Sequence, residues 1–136
     1  MIRKAREIET STRLAREMKK VMDVIGGSVQ GCEEGTPSLP DDAREQLQGT
    51  IAEQAYAALA AADEWAAAKE DLPGDEAPEW LHLYRVARIV PFAVLGMATD
   101  PDVWVLSDLY DLLRDALEAT DRVEAEKLAE ELEAES

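Results

Sequence analysis

Cys32 is the one cysteine of the chain. No disulfide can form within it, and a lone free thiol fits a reducing compartment. Histidine also occurs once, as His82, so a metal centre built on several imidazoles cannot come from one copy. Phenylalanine occurs once and aromatic residues make up 5% of the chain. With few β-branched residues beside them, the usual material of strands is missing. The longest apolar run, Ile89 to Ala98, has ten residues, about half of the roughly twenty that span a bilayer. No apolar segment follows the charged N-terminus, so no secretory leader is expected. Positive charge is scarce as well: 14 Lys and Arg stand against 30 Asp and Glu, for a formal net charge of −16. A chain of that sign repels phosphate at long range, which excludes a general nucleic-acid binder.

What is present points to helix. The 136 residues are 46% hydrophobic and 32% charged, which suits one globular unit. A chain of this size buries about two-thirds of its unfolded surface. Ala and Glu are abundant, and both are strong helix formers. Leu14, Met18, Val21 and Ile25 recur at helical spacing and predict a first helix from about Ile2 to Ile25, ended by Gly26-Gly27. "GGSVQGCEEGTPSLP" then predicts a long flexible loop over 26–40. Ser38 with Asp41 reads as a capping-box start for a second helix, whose inner stripe is Leu47, Ile51, Ala55, Ala58, Ala62 and Trp65. "LPGDEAP" breaks it. A third helix, Glu79 to Ala98, is apolar nearly all round and is expected at the centre of the fold, kinked or split at Pro91. Thr99 or Asp100 is expected to cap a fourth helix, with Pro101 in its first turn. That helix faces inward with Leu106, Leu109, Tyr110, Leu113 and Leu117. Thr120 and Glu124 then take core-facing positions, and 124–136 reads as an acidic helical tail. The predicted fold is therefore all-α: a four-helix bundle-like single domain over 1–136 with a central apolar third helix.

Charge is unevenly spread. Residues 1–25 hold seven Lys and Arg against four acids, and the remainder holds seven against twenty-six. In an up-down bundle the first and last helices are neighbours, so a basic helix would lie beside an acidic one. At 100° per residue, however, Arg6, Arg13, Arg16, Lys19 and Lys20 fall opposite Met18 and Ile25, so they should face water. Glu9 with Arg13 and Lys19 with Asp23 have the i,i+4 spacing of weak helical ion pairs. Arg13, Arg16 and Lys20 are the candidate binding residues of this helix.

A second candidate set is His82, Arg85 and Arg88, which share one sector of the third helix. On a central helix these cations would need carboxylates or an anion, because an unpaired buried charge is costly. Glu79 and His82 have the Glu-x-x-His spacing of di-iron bundles, but the further ligands such a site needs are missing. Asp108, Asp111 and Asp115 share a face of the fourth helix without the paired motif of a Mg²⁺ site. Cys32 beside Glu33 and Glu34 has its thiol pKa pushed up rather than down. No nucleophile elbow or phosphate loop is present.

These features predict a non-enzymatic helical interaction protein, a small subunit or adaptor with no cofactor and no metal. It would bind a protein partner or larger assembly through its basic first helix and acidic fourth helix. Nucleic-acid contact through the first helix or the Arg85/Arg88 stripe, and self-association, stay open; a membrane does not. Two other classes compete: an acidic nucleic-acid mimic that fills a basic groove, and a metal-dependent all-α enzyme. The lone cysteine fits a cytoplasmic setting, and nine Arg to five Lys with plentiful Ala fits a high-GC or a high-salt source; the acidity is then either adaptation to solvent or part of the function.

Overall fold

The computed structural model describes residues 2–30, 38–70 and 78–135. They form four helices: α1 Ile2–Gln30, α2 Asp41–Glu70, α3 Pro78–Met97 and α4 Val103–Glu135. The domain is an all-α four-helix bundle, with no strand among the described residues. Ser38 and Asp102 meet in an isolated antiparallel bridge where α2 and α4 begin. Residues 31–37 of the expected 26–40 loop, including Cys32, lie outside the described residues, as do 71–77.

The helices form a ring. α1 packs on α2 and α4, α3 packs on α2 and α4, and α1 barely meets α3 across the diagonal. Cross-helix pairs fix the directions. Glu7 meets Lys69 and Glu17 meets Gln54 between α1 and α2. Trp65 stacks on Tyr84, and Tyr56 meets Phe92 edge-on, between α2 and α3. Gly26 approaches Tyr110 between α1 and α4. Numbers rise on one helix as they fall on its neighbour, which is up-down-up-down topology.

The inner stripes of α1 and α2 are as the periodicity predicts. Leu14, Met18, Val21, Ile25, Leu47, Ile51, Ala55, Ala58 and Ala62 are fully buried, with Trp65 beside them. Each large aliphatic side chain in such a position contributes about 1.5–3 kcal/mol of burial. Trp65 also carries a cost, because its Nε1 has no acceptor among the described residues. A buried donor left open costs about 1–3 kcal/mol.

Four expectations need correction. α3 is not central: it takes one place in the ring, and its outer side leaves Ile89 64% exposed. An apolar composition therefore did not mean an all-round core contact. α3 is also not split at Pro91, which is buried inside an unbroken helix. α1 does not end at Gly26-Gly27 but runs on to Gln30. Finally, both predicted caps move. Pro40 accepts the first helical bond of α2, from Arg44 N at 3.0 Å, so Ser38 stands outside the cap. Asp102 caps α4, its Oδ1 accepting Trp104 N–H at 2.9 Å and Val105 N–H at 3.2 Å. Pro101 precedes that cap.

Gly26 serves packing, not termination. A Cβ built there would lie 3.0 Å from Tyr110 Cε2, whereas one at Gly27 meets nothing within 4 Å. Gly27→Ala should therefore stabilise the fold by roughly 0.5–1 kcal/mol through helix propensity alone. Gly26→Ala should gain less or lose, and should match Gly27→Ala once Tyr110 is also changed to Ala. Equal effects of the two single variants in thermal denaturation would mean that α1 and α4 do not meet at this point.

Candidate functional site

α4 loses its apolar stripe halfway along, and the bundle opens there. Thr120 is fully buried and satisfies its hydroxyl on Leu117 O at 2.9 Å. One turn later Glu124 stands at the core-facing phase but stays half exposed, and its Oε1 accepts the indole N–H of Trp80 at 2.9 Å. A carboxylate in that place cannot be closed over by apolar neighbours, since burying its charge would be costly. The result is a groove of about 690 Å³ between α1 and α4, with Trp80 in its lining. Ile8 and Leu128 flank it and remain 58% exposed each. Four cations, Arg16, Lys19, Lys69 and Lys127, share the lining with Glu7, Asp121, Glu124 and Glu131. A second shallow groove runs between α1 and α2, lined by Ile8, Thr12, Arg13, Arg16 and Glu64. Ile8, Thr12 and Arg16 line both grooves and so form the crest between them.

The bases of α1 behave differently from one another. Arg13 is paired with Glu64 of α2, and Lys69 of α2 with Glu7. Lys20 pairs within its own helix, Nζ to Glu17 Oε1 at 3.1 Å. The expected Glu9–Arg13 and Lys19–Asp23 pairs are absent among the described residues; Arg13 reaches across to Glu64 of α2 instead of Glu9. Among the described residues, Arg16 and Lys19 have no ion pair. Arg13 thus finds its carboxylate on α2, at Glu64, and not at i,i+4 in its own helix.

Glu17 is the best-held carboxylate. Its side chain is 12% exposed, and Oε2 accepts Gln54 Nε2 at 2.9 Å. Burial pulls its carboxyl pKa up, but hydrogen bonds from Gln54 and Lys20 and the charges of Lys20 and Arg13 together outweigh that and hold it below its ordinary value.

The second candidate set is on the diagonal helix, so the structure does not bring Arg13, Arg16 and Lys20 together with His82, Arg85 and Arg88. The three α3 side chains are exposed, which removes the expected need for buried partners. Arg88 donates Nη1–H to Tyr84 Oη at 2.6 Å and lies 5.6 Å from the centre of that ring. The Tyr84 hydrogen bond raises its already high pKa. Glu79 and His82 make no metal set: no group of three or more His, Cys, Asp or Glu among the described residues is placed to hold an ion. Asp111 and Asp115 both lie against Arg114, at 3.4 and 3.5 Å. No helix among the described residues is long and apolar enough to cross a membrane.

The groove itself was not foreseen from sequence. Its one legible signal was the pair of polar residues, Thr120 and Glu124, at core phase in α4. That Trp80 answers Glu124 depends on how α3 and α4 are set side by side. No family model matches the chain, and neither a curated protein nor a solved structure matches it.

A depressed folded pKa makes the stabilisation from Glu17 present above the ordinary carboxylate range and lost as pH falls through the folded value. Glu17→Gln should therefore flatten the fall of Tm between about pH 5 and pH 3. An unchanged acid limb would show that the Gln54 and Lys20 contacts do not hold the carboxylate in solution.

Proposed function

We propose that the chain is a non-enzymatic helical interaction protein that docks a protein partner on the crest of α1 and in the adjoining α1/α4 groove. One observation carries this reading. Arg16 and Lys19 have no ion pair among the described residues, yet they stand beside the open apolar side chains of Ile8 and Leu128 at a groove lined in part by Trp80. Apolar anchors at the centre with charges at the rim are what a helix-in-groove interface requires. The fitting occupant is an amphipathic segment with an apolar face for Ile8, Trp80 and Leu128 and carboxylates for Arg16 and Lys19.

The test is cross-linking mass spectrometry of the purified chain in extract of its native cells, beside Arg16→Glu/Lys19→Glu. Cross-links to a partner are expected at Lys69 and Lys127, the lysines of the groove that remain in the variant. The double variant should lose them and bind the identified partner at least about tenfold more weakly, equivalent to about 1.4 kcal/mol. Its helix content and melting should change little, since exposed charges away from packing are worth at most about 0.5 kcal/mol. Cross-links that cluster on another face, or a variant that unfolds, would defeat the proposal.

A further inference from the structure

The outward face shared by α3 and α4 carries large apolar side chains that its own chain leaves open. Tyr84 and Phe92 turn α3 towards α2, through their contacts with Trp65 and Tyr56. By helical phase, His82 and Ile89 then lie on the flank that turns to α4, while Arg85 and Gly96 point straight out. Tyr110 turns α4 towards α1, at Gly26. The opposite flank, with Val105 and Leu112, turns to α3, and Trp104, Asp111 and Asp115 point out. Ile89 and Trp104 are 64% and 61% exposed, and Val105 and Leu112 about two-fifths. A patch of large apolar side chains this open is unusual on a monomer. Its charge is divided in two. α3 has Glu79 as its one acid, far from the outer line of Arg85, whereas α4 presents Asp111 and Asp115 about Arg114, with Glu118 next to them and Arg122 a turn further on.

We propose that this face is the interface of a symmetric homodimer. A two-fold interface must be complementary to itself, and this one is. An axis parallel to the helices lays α3 of one copy over α4 of the other at unchanged height. Equal steps from the Trp80–Glu124 hydrogen bond bring Arg85 level with the turn that holds Asp115 and Glu118. The two-fold therefore sets each copy's Arg85 against those carboxylates of the other copy. At the end where α3 passes to α4, it sets Trp104 over Gly96. Beyond the adjoining backbone of α3, no atom among the described residues comes within 4 Å of a Cβ placed at Gly96, so a flat place receives a broad ring. Ile89 and Leu112 fill the middle. α3 is about 30 Å long, and two helices are about 20 Å across. With side-chain relief that is on the order of the ~800 Å² per partner of a standard interface. This dimer uses the side of the bundle away from the α1 crest, so it neither needs nor blocks docking there.

Sedimentation velocity of the full chain from micromolar to millimolar concentration, at about 0.15 M salt, tests it. The wild-type chain should reach twice its 15.0 kDa mass. Arg85→Glu, Trp104→Asp and Asp115→Lys/Glu118→Lys should each weaken dimerisation at least about tenfold with helix content unchanged. An equimolar mixture of Arg85→Glu with Asp115→Lys/Glu118→Lys should recover the dimer, because both cross pairs are complementary again. The proposal is overturned if the wild type stays at 15.0 kDa at the highest concentration. It is also overturned if a dimer ignores all three variants, or if the mixture stays monomeric.

Discussion

The seam between α1 and α2 is the interaction on which the rest of this bundle depends. The two helices lie closely together over almost their whole lengths. One side brings Leu14, Met18, Val21 and Ile25, and α2 answers with Leu47, Ile51 and a run of buried alanines that ends at Trp65. Alanine costs no side-chain entropy and lets backbones approach closely, so many small dispersion contacts accumulate along the seam. The cross-helix ion pairs Arg13–Glu64 and Glu7–Lys69 run along the edge of this seam. They mark its register, but exposed pairs contribute only about 0–1 kcal/mol each. Burial, not charge, holds α1 in place. Arg16 and Lys19 are left without an ion pair among the described residues.

The opposite side of the ring is built differently. α4 packs well through Leu106, Leu113 and Leu117, and its inward positions then become polar at Thr120 and Glu124. The Trp80 indole turns this from a defect into a fixed contact, by donating to the carboxylate that apolar neighbours could not accept. α1 and α4 consequently stay apart at that end, and a groove replaces a core layer. The same residues set the limit of the core and the start of the surface available to a partner.

Charge follows from helical phase. Because the stripe of α1 faces inward, Arg16 and Lys19 are held in the lining of the α1/α4 groove, without an ion pair among the described residues. Because Tyr84 and Phe92 bind α3 to α2, Arg85 points away from the bundle beside Ile89. The chain therefore has two separate basic and apolar surfaces on diagonal helices, in a molecule whose net charge is −16. Those two surfaces are the ones on which the proposed partner and the proposed second copy would dock.

The sequence by itself determined the helical class, the four segments and the inward residues of α1 and α2, since periodicity and composition are local properties and these helices are amphipathic. It also marked Thr120 and Glu124 as polar at core phase. It misplaced the end of α1, because a glycine pair looks the same whether it terminates a helix or clears space for Tyr110. It misplaced α3 as well: Ile89, Leu81 and Phe92 signal burial in any composition count, yet only the packing of Tyr84 and Trp65 decides which side of the helix turns outward. The caps shifted for a similar reason, with Asp102 taking the role that Thr99 or Asp100 could equally have filled. Which carboxylate reaches Arg13, whether Arg16 has one, and what Glu124 meets across the bundle are relations between helices distant in the chain. No single segment encodes them, and only the tertiary structure decided them.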